Sequence, residues 1–239
     1  MDASELYDPE FRKLIKSKKQ TVIIPVGSLE QHGAHLPVST DSDIVTEIAS
    51  RLAEKCGFIV FPTVSYGLSF EHDPLFNINI RDIDFRNFLA DIIWSIEYRI
   101  DAPISIIILN GHHGNVDTLE MMEANPEREW NLDFKDVKID FYSYWHFMEH
   151  EFDHAGFVET SIMLAISDKV KMKKAKKGLI TKGLSEKEIQ RINKLSTEPW
   201  GFPKVAKNGV WGDPTGATKK DGEKFLAEIV RNLAKECQS

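Results

Sequence analysis

The sequence predicts one α/β domain built on a central, mostly parallel β-sheet with helices on both faces. Three observations carry that expectation. Short apolar runs alternate with longer stretches of helical periodicity, the order of βαβ units. Most runs are apolar at successive positions, as strands covered on both faces require. The 239 residues, 42% hydrophobic and 28% charged, suit one substantial core.

Strands are expected at 21–26, 58–64, 104–109 and 137–142, each rich in β-branched or aromatic residues. A helix is expected over 41–55, with Ile44, Val45, Ile48, Ala49 and Leu52 on one stripe. A second, over 84–99, places Phe85, Phe88, Leu89, Ile92, Ile93 and Ile96 together. Shorter helices follow Asn115, carrying Leu119, Met121 and Met122, and run through Ile162, Met163 and Leu164. The last helix, 221–235, is amphipathic, with Phe225, Leu226, Ile229, Val230 and Leu233 inward. Residues 65–83, with Gly67 and Pro74, read as a long loop or small hairpin. The six lysines of 169–177 read as solvated surface, with steering of an anionic substrate as the functional alternative.

Composition narrows the function. A net charge of −7 lacks the basic excess of a nucleic-acid binder. Cys56 and Cys237 have no partners at metal-ligand spacing and form no disulfide framework. The N-terminus lacks an apolar signal segment, and no apolar run is long enough to span a bilayer. The expectation is a cytoplasmic protein with neither membrane nor nucleic-acid partner.

Three stretches carry chemistry. Glu30 and His32 follow the first strand, where open α/β sheets bind ligands, and an extended backbone turns both to one side. Asp41 stands at the start of the next helix, where it is also well placed as a cap. A carboxylate, an imidazole and a second carboxylate suit Zn, Fe or Mn. After the most apolar strand comes Asn110-Gly111-His112-His113-Gly114-Asn115. Its glycines permit a sharp turn, and His112 is favoured to face the sheet edge. The third stretch holds His154 and Glu159 before and within the first turn of a helix. There Glu159 either complements the helix dipole, ligates metal, or serves as the base that activates water. His154 would give a proton to a leaving nitrogen. His35 stands behind these groups, and His72 either meets substrate or is exposed. No G-x-S-x-G elbow, phosphate-binding loop or G-x-G-x-x-G competes. The chemistry therefore points to metal-activated water.

Together these blocks resemble the creatininase family of metal-dependent amidohydrolases. The matching residues are Pro25 to Gly33, Leu36-Pro37, Asp41, Asn110 to Asn115, His154 to Gly156 and Glu159 to Ser161. Gly209-Val210-Trp211-Gly212-Asp213-Pro214 resembles the family's closing motif. The resemblance implies two divalent metals bridged by Asp41, with Glu30 and His112 at one and His32 at the other. It also implies an oligomer, often a hexamer, and a small amide or formamide substrate. Creatinine-hydrolysing members carry a glutamate where this chain has Gly114, so Glu159 would have to complete the second metal's ligands. The glycine-rich loop is closer to archaeal deformylases of a formamidopyrimidine nucleotide in flavin and deazaflavin biosynthesis. Deformylation is thus the expected reaction, creatinine ring opening the alternative, and a non-catalytic metal-binding protein the reading from another class.

Overall fold

The structure, a computed structural model, describes residues 1–16, 20–99, 104–124 and 137–238. In chain order the main elements are α1 (Asp8–Ile15), β1 (Gln20–Val26), α2 (Thr40–Cys56), β2 (Ile59–Val60), α3 (Asp82–Arg99), β3 (Ile104–Asn110), α4 (Val116–Ala124), β4 (Val137–Ser143), α5 (Phe157–Ile166), α6 (Glu186–Ser196) and α7 (Lys219–Glu236), with a one-turn helix at Phe202–Val205 before the last. Short 3-10 turns join several of them.

The four strands are parallel, in the order β2-β1-β3-β4. In β1 and β3 successive side chains enter opposite cores, as a two-residue pleat requires. Ile23, Ile107 and Leu109 pack with α2, α5 and α7 on one face. Val22, Ile24, Ile106 and Ile108 pack with α3 and α4 on the other. Both strands are buried throughout their centres, which explains their unbroken apolar sequence. β4 is the edge strand and is only partly covered, matching its alternation of Lys138 and Asp140 with apolar residues.

Two elements differ from expectation. The second strand, expected over 58–64, pairs regularly only at Ile59–Val60. Pro62 cannot donate to a ladder, and only isolated bonds continue, from Phe61 N to Ile23 O, from Val64 N to Pro25 O and from Gly27 N to Val64 O. Beyond the lysine run, helix α6 stands where only a polar stretch is expected; a Ser185–Glu188 capping box starts it. The lysine run itself is largely exposed. Among the described residues no helix is long and apolar enough to cross a membrane.

The parallel register brings the carboxyl ends of β1, β3 and β4 to one edge: Val26 lies beside Asn110, and Asn110 beside Ser143. The loops that leave this edge carry the residues singled out from the sequence.

Candidate metal centre

Backbone approach makes the centre possible. A Cβ on Gly27 would lie 2.6 Å from Ser42 Oγ, and one on Gly111 would lie 2.8 Å from the Asp41 carbonyl oxygen. Only glycine at both strand ends lets the start of α2 settle there. That seats Asp41, in its first turn, over the sheet edge. The segment carrying Glu30 is pinned by the loop after β2: Gln31 N donates to Phe76 O (2.7 Å) and Ile78 N to Leu29 O (2.9 Å). Asn115 ties the β1 and β2 loops together, accepting from Leu68 N (3.1 Å) and donating to Gly27 O (3.2 Å). The closing motif holds His154 through paired backbone bonds with Trp211, 3.1 and 2.8 Å long.

These constraints gather every residue proposed from the sequence. His32 Nε2 lies 2.9 Å from Asp41 Oδ1 and 3.6 Å from Glu159 Oε2. On the other side, His112 Nδ1 lies 3.0 Å from Asp41 Oδ2, and His112 Nε2 lies 3.4 Å from Glu30 Oε2. Potential ligand atoms of Glu30, Asp41 and His112 lie within 4.8 Å of one another, as do those of His32, Asp41 and Glu159. Asp41 belongs to both triplets. His154 stacks against His32 with ring centroids 4.3 Å apart, its Nδ1 3.8 Å from Glu30 Oε1. His35 stands behind, its Nε2 2.9 Å from Thr160 Oγ1.

The donor set fits divalent cations. Both Glu30 carboxylate oxygens, His32 Nε2 and Asp41 Oδ2 are buried and make no hydrogen bond. Their partners are near but off the line a hydrogen bond needs, so these atoms converge on shared points rather than on each other. Each ring's outer nitrogen is meanwhile occupied. His32 Nδ1–H donates to the Glu30 carbonyl (3.2 Å) and His112 Nε2–H to the Leu68 carbonyl (2.7 Å). His32 Nε2 and His112 Nδ1 are thereby left as lone pairs available to an ion, the arrangement that fixes a tautomer where a histidine does ligate.

Electrostatics follow from burial. Burial opposes charge on His32, yet Asp41 and Glu159 override it and raise the imidazole to about 10. Burial likewise works against the Asp41 carboxylate, but His32 and His112 hold it well below the usual range. Burial raises Glu159 to about 8 although His32 pulls it down. Burial, with His32 and His72, keeps His154 neutral. Protons on the His32 and His112 imidazoles thus occupy the electrostatic role of cations, and any metal bound there would have to release them.

Two neighbours escaped the sequence reading. Glu71, which was not singled out, and His72, left open between substrate contact and exposure, are both buried beside Glu30. Their loop ligand atoms lie within 4.8 Å of Glu30. A Cβ on Gly114 would fall 2.7 Å from Glu71 Oε1, so Glu71 fills, from another loop, space beside His112 that a larger residue 114 would take. The Glu71-His72 pair sits in a single 3-10 turn, Phe70–His72, inside a long loop, where no periodic signal marks it.

Fold and site together define an α/β/α hydrolase with a carboxylate–imidazole centre at the carboxyl ends of its strands. Residues 4–237 match the family model for creatinine amidohydrolase, and the chain belongs to that creatininase family of amidohydrolases. It is 33% identical to the mycofactocin precursor peptide peptidase of Mycolicibacterium smegmatis over 225 residues, 89% of this chain and 82% of the relative. It is 30% identical to the 2-amino-5-formylamino-6-ribosylaminopyrimidin-4(3H)-one 5'-monophosphate deformylase of Methanosphaera stadtmanae, over 63% of this chain and 62% of that one. A solved creatininase containing Mn superposes with a TM-score of 0.78 at 22% identity, covering 99% of this chain and 97% of the other.

Proposed function

We propose that the protein hydrolyses an amide C–N bond in an extended, peptide-like substrate, using two divalent ions held by Glu30, Asp41 and His112 and by His32, Asp41 and Glu159. The observation that carries this reading is the position of Asp41, shared by both triplets at the floor of a cavity of about 460 Å³. Zn, Fe(II) and Mn all accept such ligands. When bound, such ions polarise the scissile carbonyl and activate a water for attack.

The chain's own residues handle the proton. His154 Nε2 lies 3.1 Å from the Gln31 side-chain nitrogen and 3.1 Å from the Gln31 backbone oxygen. One can donate to it and the other can accept from it, so either tautomer of His154 has a partner. Nδ1, facing the centre, can therefore take a proton from water and pass it to the leaving nitrogen. Glu159, fixed by the Ala155 N–H at 2.6 Å, serves as a ligand in this reading rather than as the base.

Cavity shape and charge support the substrate class. Among the described residues no lysine or arginine lines the inner cavity. Its walls continue through Phe152, Thr181, Ile189 and Trp211 into an outer groove of about 750 Å³, room for several residues of an extended chain. The lysine run lines neither space. The peptidase relatives point the same way. Deformylation of a nucleotide is the second reading, favoured by Lys182 in the outer groove as a phosphate contact.

The test is product analysis with protein loaded in turn with Zn, Fe(II) and Mn. Release of amino acids or short fragments from a peptide library supports the proposal. Formate from the formylated nucleotide selects the second reading, and creatine from creatinine restores the ring-opening alternative. In Asp41→Asn both metal equivalents should be lost together with turnover. Retention of both, measured by elemental analysis, refutes the shared-ligand arrangement.

A further inference from the structure

We propose that Gln31 fixes the tautomer of His72, making His72 an N–H donor that positions Glu30 rather than a ligand to a third ion. The inference rests on the reading of Glu30 as a ligand. Geometrically, His72 looks like a ligand: Glu30, Glu71 and His72 form a buried triplet with ligand atoms within 4.8 Å. Hydrogen bonding assigns it otherwise.

The orientation of the Gln31 carboxamide is settled first. Its Oε1 accepts from Gly33 N at 3.0 Å, so Nε2 must point the other way; a flipped amide would set two donors face to face. Gly209 closes over it: a Cβ there would lie 1.8 Å from Gln31 Oε1. The outward NH2 then meets His72 Nδ1 at 3.0 Å. Since the amide nitrogen can only donate, His72 Nδ1 must carry the lone pair and Nε2 the hydrogen. That Nε2–H faces Glu30 Oε1 at 3.1 Å and Glu71 Oε1 at 3.7 Å. Phe202, its ring centroid 4.5 Å from that of His72, covers the imidazole.

Two properties follow. A nitrogen that bears hydrogen offers no lone pair to metal, so His72 does not ligate while Gln31 holds it. With that N–H set beside Glu30 Oε1 at 3.1 Å, a close polar contact rather than an aligned hydrogen bond, Oε2 is left on the side of His112 and Asp41. Gln31 thus acts on the metal through His72 and Glu30, and Gly209 of the closing motif acts through Gln31.

The experiment combines long-range ¹H–¹⁵N NMR of zinc-loaded protein with zinc titration against a chromophoric chelator. His72 should show a bare Nδ1 and a protonated Nε2; the reverse tautomer overturns the proposal. His72→Leu and Gln31→Leu should weaken one of two zinc equivalents by about 10–100-fold, the usual cost of removing a group that orients a ligand. His72→Gln, which restores an N–H donor toward Glu30, should recover most of that loss. Complete loss of a zinc equivalent in His72→Gln would show that His72 ligates, and unchanged affinity in all three variants would show that it has no hold on Glu30. Wild-type protein that binds no zinc would instead refute the metal centre itself, a result distinct from any variant outcome.

Discussion

At the scale of single residues, the centre is a set of tautomers imposed by neighbours. Backbone carbonyls fix His32 and His112, a side-chain amide fixes His72, and Gln31 offers His154 a partner in either tautomer. His35 offers a test of the electrostatics. Burial, reinforced by the charge at His32, depresses it to about 4. Unfolded, it titrates near 6.5, so between those values the unfolded chain binds a proton that the folded one refuses. Stability should therefore be fully present above about pH 6.5 and fall as pH drops toward 4. Thermal melts of His35→Gln should show a shallower acid slope than wild type; an identical slope would refute the assignment. That Glu30, His32, Asp41, His112, His154 and Glu159 gather at one sheet edge is legible in the sequence, because most of them follow a strand or lie at the start of a helix. Glu71 and Gln31 are not. Their roles depend on which loops meet in space, through Gly114 and Gly209, and no local pattern encodes that meeting.

At the scale of elements, α2 and α6 do different work. α2 must approach the sheet edge to deliver Asp41, and Gly111 permits it. Gly111→Ala would set a Cβ 2.7 Å from Val45 Cβ and displace the helix start. Metal affinity should fall more than helix content, a contrast that chelator titration beside circular dichroism would reveal. α6 is polar and largely exposed, but Ile189, Asn193 and Ser196 wall the cavity. Its capping box, in which Ser185 accepts from Glu188 N and Glu188 accepts from Ser185 N, begins the helix. Ser185→Ala should cost about 1 kcal/mol locally. Faster hydrogen exchange over 186–196 would accompany a higher KM for extended substrates, whereas unchanged exchange would discount the cap. The four strands and their intervening helices were readable because burial on two faces leaves a continuous apolar signature. α6 gives little signal because its apolar stripe is narrow, and β2 is shorter than its strand-like run because Pro62 interrupts the pairing.

At the scale of the whole molecule, the centre concentrates carboxylates that the fold must keep away from water. Glu30, Asp41, Glu71 and Glu159 are all buried within one cluster. Divalent cations that bind this state and not the unfolded chain stabilise it by mass action, about 2.7 kcal/mol at a hundredfold excess over Kd. For a chain of this size that corresponds to roughly 5–10 °C in Tm. Chelation should lower Tm by that order, and adding back Mn or Zn should restore it; a Tm indifferent to both would mean the cluster is stable as a network of proton-bearing groups.

The spread of the centre along the chain also sets a timetable. Glu30 emerges early in synthesis, Glu159 much later, and the partners that steady His154 and Gln31, Trp211 and Gly209, later still. The first strand cannot even find its neighbour β3 until some eighty residues have followed it, judging by the pairing of Val22 with Ile106. A ribosome-bound fragment ending before the closing motif therefore presents scattered carboxylates and imidazoles but no finished cradle. Any ion these residues hold would therefore be acquired only once the closing motif is in place.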